Sequence, residues 1–178
     1  MRKAMLLRVL GPLAAILLGA CAAPPPPHDI LSPENALVFG YVESKENPID
    51  TVEFHKYGEV YIPPFKTPPR VLIFRNGNFM AENIKPGKYY IAAFHSKLNK
   101  FSLVGTKQAA YQIVVDVKPG SLTYLGSHRI YPRSGNAEPD IKPILNPGER
   151  EILRELYHVT AGTGWQAKIS RRLQDLRQ

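Results

Sequence analysis

The chain carries one thiol, Cys21, and its surroundings are those of a group placed for modification. Arg2, Lys3 and Arg8 give a cationic start, Val9 to Leu18 is an uncharged core, and Gly19 and Ala20 are small enough to enter a peptidase groove. The core is shorter than the roughly 20 apolar residues of a spanning helix. The expected chemistry is export and cleavage between Ala20 and Cys21, which would leave the Cys21 thiol beside the new amino end.

Imidazoles are the other groups that could do chemistry. His28, His55, His95, His128 and His158 are spread through a tether, strands and a helix. Three imidazoles can hold zinc, but His55, His95 and His128 would converge only if their strands were neighbours on one face. Spread as they are, they predict no metal. The His28-Asp29 pair beside a flexible segment is expected to be solvated. Gly126-Ser127-His128 lacks the spacing of a nucleophile elbow. No H-E-x-x-H, cysteine cluster or phosphate loop is present. No catalytic residue and no cofactor are assigned; an unrecognised hydrolase stays a lesser reading, since any chain this size holds serine, histidine and acids.

A third feature suits recognition. The stretch Tyr57 to Pro69 sets Tyr57, Tyr61 and Phe65 among Pro63, Pro64, Pro68 and Pro69. Proline lowers the entropy lost on binding, and aromatics supply contact area with few rotors. The loop is a candidate for a sugar or a partner protein. The alternative is that its aromatics fold down over a sheet edge.

Leu18-Gly19-Ala20-Cys21 resembles the lipobox of bacterial lipoproteins. That resemblance implies lipidation at Cys21 and a place in the bacterial cell envelope. In that family a residue other than Asp after the cysteine goes with outer-membrane sorting, facing the periplasm; here it is Ala22. Residues 1–20 carry three of the 23 basic residues, so their removal leaves 20 basic against 15 acidic, or +5. The charge is scattered, with no run that predicts a nucleic-acid arm. Attraction to anionic head groups or wall polymers is one use for it, and plain solubility the other.

The elements follow from periodicity and turn chemistry. Residues 21–35 read as the lipidated cysteine and a proline tether without fixed structure. Residues 36–131 read as short strands: Leu37 to Glu43; Thr51 to Lys56, with Val52 and Phe54 opposite Glu53 and His55; Arg70 to Phe74; Lys88 to His95; Tyr111 to Val117; and Leu122 to Ile130. Strict alternation in the fourth puts Tyr89, Ile91 and Ala93 opposite Tyr90, Ala92 and Phe94. Asn76-Gly77 is the strongest short hairpin signal, and Pro86-Gly87 and Pro119-Gly120 are type II turn signals. Residues 132–145 read as a connector. Residues 146–178 read as two helices. Asn146 caps the first, Pro147 and Glu149 open it, and Ile152, Leu153, Leu156 and Val159 form its stripe. Thr163 caps the second, which aligns Trp165, Ile169, Leu173 and Leu176. The helices are expected to cover one face or edge of the sheets, the alternative for the second being a membrane surface. The fold class is mainly β: an antiparallel, transthyretin-like or immunoglobulin-like sandwich with two C-terminal helices.

Gly40-Tyr41-Val42, Pro48-Ile49-Asp50-Thr51-Val52, Gly77-Asn78-Phe79 and Ile84-Lys85-Pro86-Gly87-Lys88-Tyr89-Tyr90-Ile91 resemble carboxypeptidase regulatory-like, or transthyretin-like, modules. The likeness spans residues 38–130. The proline-rich loop 56–69 and the helical tail depart from it. Such modules are non-catalytic, which implies an interaction or structural role. The expected function is therefore a non-enzymatic, membrane-anchored envelope lipoprotein. Its expected partners are the membrane, an envelope protein or a wall polymer, and not nucleic acid. The alternative is a carbohydrate- or wall-binding module using Tyr57 to Pro69.

Overall fold

The computed structural model describes residues 26–45, 48–62, 66–67, 70–72, 76–96, 100–102, 113–131 and 139–177. Ala20, Cys21 and Phe65 lie outside them. Among the described residues nine strands run β1 (Ala36–Ser44), β2 (Thr51–Lys56), β3 (Arg70–Leu72), β4 (Asn78–Ile84), β5 (Gly87–His95), β6 (Lys100–Ser102), β7 (Val114–Val117), β8 (Leu122–Tyr131) and β9 (Asp140–Ile144). Two helices follow, α1 (Glu149–Val159) and α2 (Gly164–Asp175). The first sheet has the order β4-β1-β8-β9. The second has the order β3-β2-β5-β6, with β7 also paired to β5. No described helix is long and apolar enough to cross a membrane.

The sheets pack face to face, and the helices cover the outer face of the first. This layering explains why β1 is apolar on both sides, as a strand buried on both faces must be. Ala36, Val38 and Val42 meet Val52, Phe54, Ile91, Phe94, Val117 and Ile130 between the sheets. Leu37 and Phe39 point the other way, to Ile152, Leu153, Leu156, Trp165 and Ile169. Trp165 is fully buried. The last helix therefore packs on the protein's own core, as its stripe predicted.

The mainly β sandwich with two terminal helices stands, with specific corrections. One pair, β1 with β8, is parallel. Asn76-Gly77 closes no hairpin, because β3 belongs to the second sheet and β4 to the first. Gly77 does take a positive φ, of 90°, and a β-carbon there would lie 2.6 Å from the Tyr41 ring. Pro86-Gly87 and Pro119-Gly120 likewise carry the chain from one sheet to the other. All three turn signals mark crossings. The segment read as a connector contains β9, an edge strand that tolerates Pro143 because an edge leaves amide positions unpaired. The α1 cap falls at Gly148, whose N–H donates to Glu151 at 2.8 Å, two residues beyond Asn146. Val159, expected in the stripe, is 38% exposed.

Candidate functional site

Glu53 lies on the face of β2 opposite Val52 and Phe54, as alternation placed it, and is only 4% exposed. Its neighbours are set by an irregularity in β5. Glu53 pairs with Ala93 and Phe54 with Ile91, so Ala92 is an extra residue, a β-bulge. The bulge breaks the expected alternation. Phe94 joins Tyr89 and Ile91 in the core, while Ala93 and His95 turn to the outer face with Glu53. His95 Nε2–H donates to Glu53 Oε2 at 2.8 Å, and His55 Nε2–H donates to Glu53 Oε1 at 2.9 Å. Tyr90 O–H donates to His55 Nδ1 at 3.3 Å. A carboxylate that accepts from both Nε2–H groups holds both rings in one tautomer. The two imidazole side chains are each 18% exposed.

Of the three histidines that could have converged, His55 and His95 meet on Glu53. His128 does not; it sits on β8 of the first sheet and donates to the Leu125 carbonyl at 2.9 Å. Burial pushes the His128 imidazole below its ordinary value, against the opposing pull of that hydrogen bond. Among the described residues no three side chains are placed to hold a metal ion. The Tyr90–His55–Glu53 relay can orient a proton. The cavities beside Tyr61 and beside α2 are lined by other residues.

The described start of the loop after β2, residues 57–62, brings Tyr57 and Tyr61 down onto the sheet. Tyr61 lies 4.6 Å from the His55 ring; its hydroxyl accepts from the Lys56 N–H at 3.1 Å and donates to Glu59. Tyr57 packs edge-on against Tyr90 at 5.1 Å and stays 44% exposed. Tyr57 and Tyr61 thus extend the outer-face network, and Val60 and Ile62 project beside them. A cavity of about 400 Å³ adjoins, walled in part by Lys56, Glu59, Tyr61, Lys66 and Tyr89.

A second missed network lies on the helix side of the first sheet. Tyr41 O–H donates to Glu43 at 2.9 Å, and Arg129 pairs with Glu43. Burial, with the adjacent carboxylate, pushes the Tyr41 hydroxyl up to about 12. Burial raises the Glu43 carboxyl, but hydrogen bonds from Arg129 and Tyr41 outweigh it and leave the group below its ordinary value.

Residues 21–35 were expected to lack fixed structure, with His28-Asp29 solvated. It is docked from His28 onward. The His28 N–H donates to Glu82 at 2.9 Å. Asp29 Oδ1 accepts from the N–H of Gly164, the first residue of α2, at 2.7 Å. It supplies the acceptor that Thr163, the N-cap residue, does not. Gly164 makes the approach possible, since a β-carbon there would lie 2.9 Å from Ile30 Cδ1. Ile30 packs on the Trp165 cluster. Asn83, at φ 55°, accepts from the Leu31 N–H at 2.9 Å and donates to the Asp29 carbonyl at 3.0 Å. Farther along α2, Lys168, Arg171, Arg172 and Asp175 line a groove of about 360 Å³ with Gly120 and Leu122.

Comparison with known proteins adds little to this geometry. No family model matches the chain. No curated protein matches it either. Among solved structures, the chain is similar to a DUF3823 family protein from Parabacteroides merdae at 14% identity and a TM-score of 0.29. That match covers 65% of this chain and 62% of the other, so the chain spans less than two thirds of its neighbour's length.

Proposed function

We propose that this chain is a lipid-anchored envelope protein whose sandwich is a non-enzymatic interaction or structural module of the transthyretin-like kind. The observation that carries the reading is the docked strap. Six residues separate Cys21 from His28, and from His28 onward the chain is bound to the domain. An acylated Cys21 therefore holds the sandwich at short range and in a restricted orientation, which suits a scaffold fixed at a membrane surface. Ala22 favours the outer membrane, with the domain facing the periplasm. Mass spectrometry of the mature protein tests this: the N-terminus should be an acylated Cys21, and Cys21→Ser should accumulate as uncut precursor. A mature N-terminus without acyl groups overturns it.

A second reading is a wall-binding module built on the loop after β2. It is favoured by the half-exposed Tyr57 and by the cavity of about 400 Å³ that Tyr61 walls. Pull-down on purified wall should lose retention with Tyr57→Ala and Tyr61→Ala, and with Phe65→Ala if the loop acts as one surface. Equal retention of all three variants removes the loop. A hydrolase built on the Glu53 network is the least supported reading, because both imidazoles are largely covered.

A further inference from the structure

The basic groove on α2 has a placement that its charge alone does not explain. Trp165 and Ile169 commit one side of the helix to the core. Lys168, Arg171 and Arg172 fall on the remaining surface, beside the Gly120 turn that opens β8. Lys168 Nζ donates to the Gly120 carbonyl at 2.7 Å, and Arg172 donates to Glu149 at 2.9 Å, which fixes both cations in place. Arg171 is exposed and makes no ion pair among the described residues. Asp175 is the one acid in the lining.

The strap leads to this same helix. Asp29 contacts Gly164 at the start of α2, and a β-carbon on Gly120 would lie 2.9 Å from the Pro33 carbonyl oxygen, so the strap passes the N-terminus of the helix and the turn that walls one side of the groove. Eight residue steps join Cys21 to Asp29, a reach of roughly 28 Å at full extension. A bilayer holding Cys21 lies within that distance of the start of α2.

We propose that the groove of Lys168, Arg171 and Arg172 docks the domain on an anionic phospholipid surface, with Arg171 and Lys168 meeting head-group phosphates and Arg172, paired to Glu149, shaping the wall beside them. The proposal rests on the lipid-anchor reading for its biological setting, but the contact itself needs no acyl chain. Each basic residue near such a surface strengthens binding by about fivefold, and the effect decays within a Debye length of about 8 Å. The anchor supplies residence, and the groove supplies orientation.

The test uses the chain from Ala22 to Gln178, which retains every residue of both apolar clusters, so it does not depend on acylation. Vesicles of phosphatidylglycerol and phosphatidylcholine should carry it in flotation, with binding that falls steeply as salt rises; phosphatidylcholine alone should not. Arg171→Gln should weaken partitioning about fivefold and Arg171→Glu by about 25-fold. Arg171 is exposed, so neither change threatens folding, and Lys88→Gln, on the far sheet, should leave binding unchanged. Equal partitioning of Arg171→Glu and wild type overturns the groove. So does absence of binding to the anionic vesicles, or full competition by millimolar inorganic phosphate, which marks a site for the free ion. Each of these leaves Cys21 acylation, read by mass spectrometry, standing or falling separately.

Discussion

Removal of the Glu53 carboxylate should be costly, and the cost should be shared with His95. Glu53 accepts two hydrogen bonds from imidazoles at 2.8 and 2.9 Å while only 4% exposed. A bond to a charged acceptor contributes about 1.5–3 kcal/mol net. Glu53→Ala forfeits both and leaves two ring N–H groups in a largely covered site. The partial exposure of the rings lets water recover part of the loss, so the expected destabilisation is about 3–4 kcal/mol. Glu53→Gln keeps the volume and one acceptor but turns an NH2 toward the second ring, which should cost about half as much. The coupling decides the geometry. In a double-mutant cycle, His95→Gln should cost about 1–2 kcal/mol less in the Glu53→Ala background than in the wild type. Urea unfolding at pH 7.5 measures it, provided the slope m stays constant across the four proteins. Additivity within about 0.3 kcal/mol would show that His95 and Glu53 do not meet, and the bulge assignment would fall with it.

Other outcomes follow from single contacts. Asp29→Ala should release the strap, seen as faster proteolysis between residues 26 and 35, while Asp29→Asn, which keeps a weaker, neutral acceptor for Gly164, should loosen it less. Backbone N–H groups of Gly164 and Ile30 hold the Asp29 carboxyl below its ordinary value. The strap is therefore tightest above the usual carboxylate range and should loosen as pH falls through the depressed value, which proteolysis at graded pH would report. Gly77→Ala should destabilise by more than about 1 kcal/mol, since φ is +90° and the new carbon meets the Tyr41 ring and the Val42 carbonyl; an unchanged melting temperature would remove that corner from the account. The half-buried His128 has a lowered value, so its contribution is complete above the unfolded pKa near 6.5 and is lost as pH falls below it; His128→Gln should flatten that part of the stability profile. Deleting residues 146–178 bares Leu37, Phe39 and Met80 and should make the sandwich aggregate.

The legible parts of the fold were those where one residue type fixes one geometry. Val52 and Phe54 announced the inner face of β2, and the Trp165 stripe announced a helix laid on the core. Turn chemistry located the turns but misjudged Asn76-Gly77, because it sets local φ and cannot say which sheet receives the next strand. That depends on β1, whose two apolar faces serve two layers. The bulge was hidden for a related reason. β5 is aromatic or apolar at nearly every position, so alternation carries no phase there, and the inversion that brings His95 to Glu53 left no mark. An acid flanked by Val52 and Phe54, with His55 two residues on, was the available signal. The strap was masked by its prolines. Asp29-Ile30, a capping residue followed by a hydrophobe, was the trace of docking.

One helix links the two ends of the chain. Trp165 and Ile169 fix the rotation of α2 about its axis, because burying them leaves one arc for Lys168, Arg171 and Arg172. Asp29 fixes its N-terminus against the strap. Neither contact chooses a partner alone. Together they tie the strap, from His28 onward, to the helix that carries the basic arc, and six residues lie between His28 and Cys21. Lengthening that segment with Gly-Ser residues should keep the anchor and the fold while loosening the orientation, because reach in a flexible linker grows as the square root of its length. The Asp29–Gly164 contact ties the start of that helix, rather than a remote loop, to the strap.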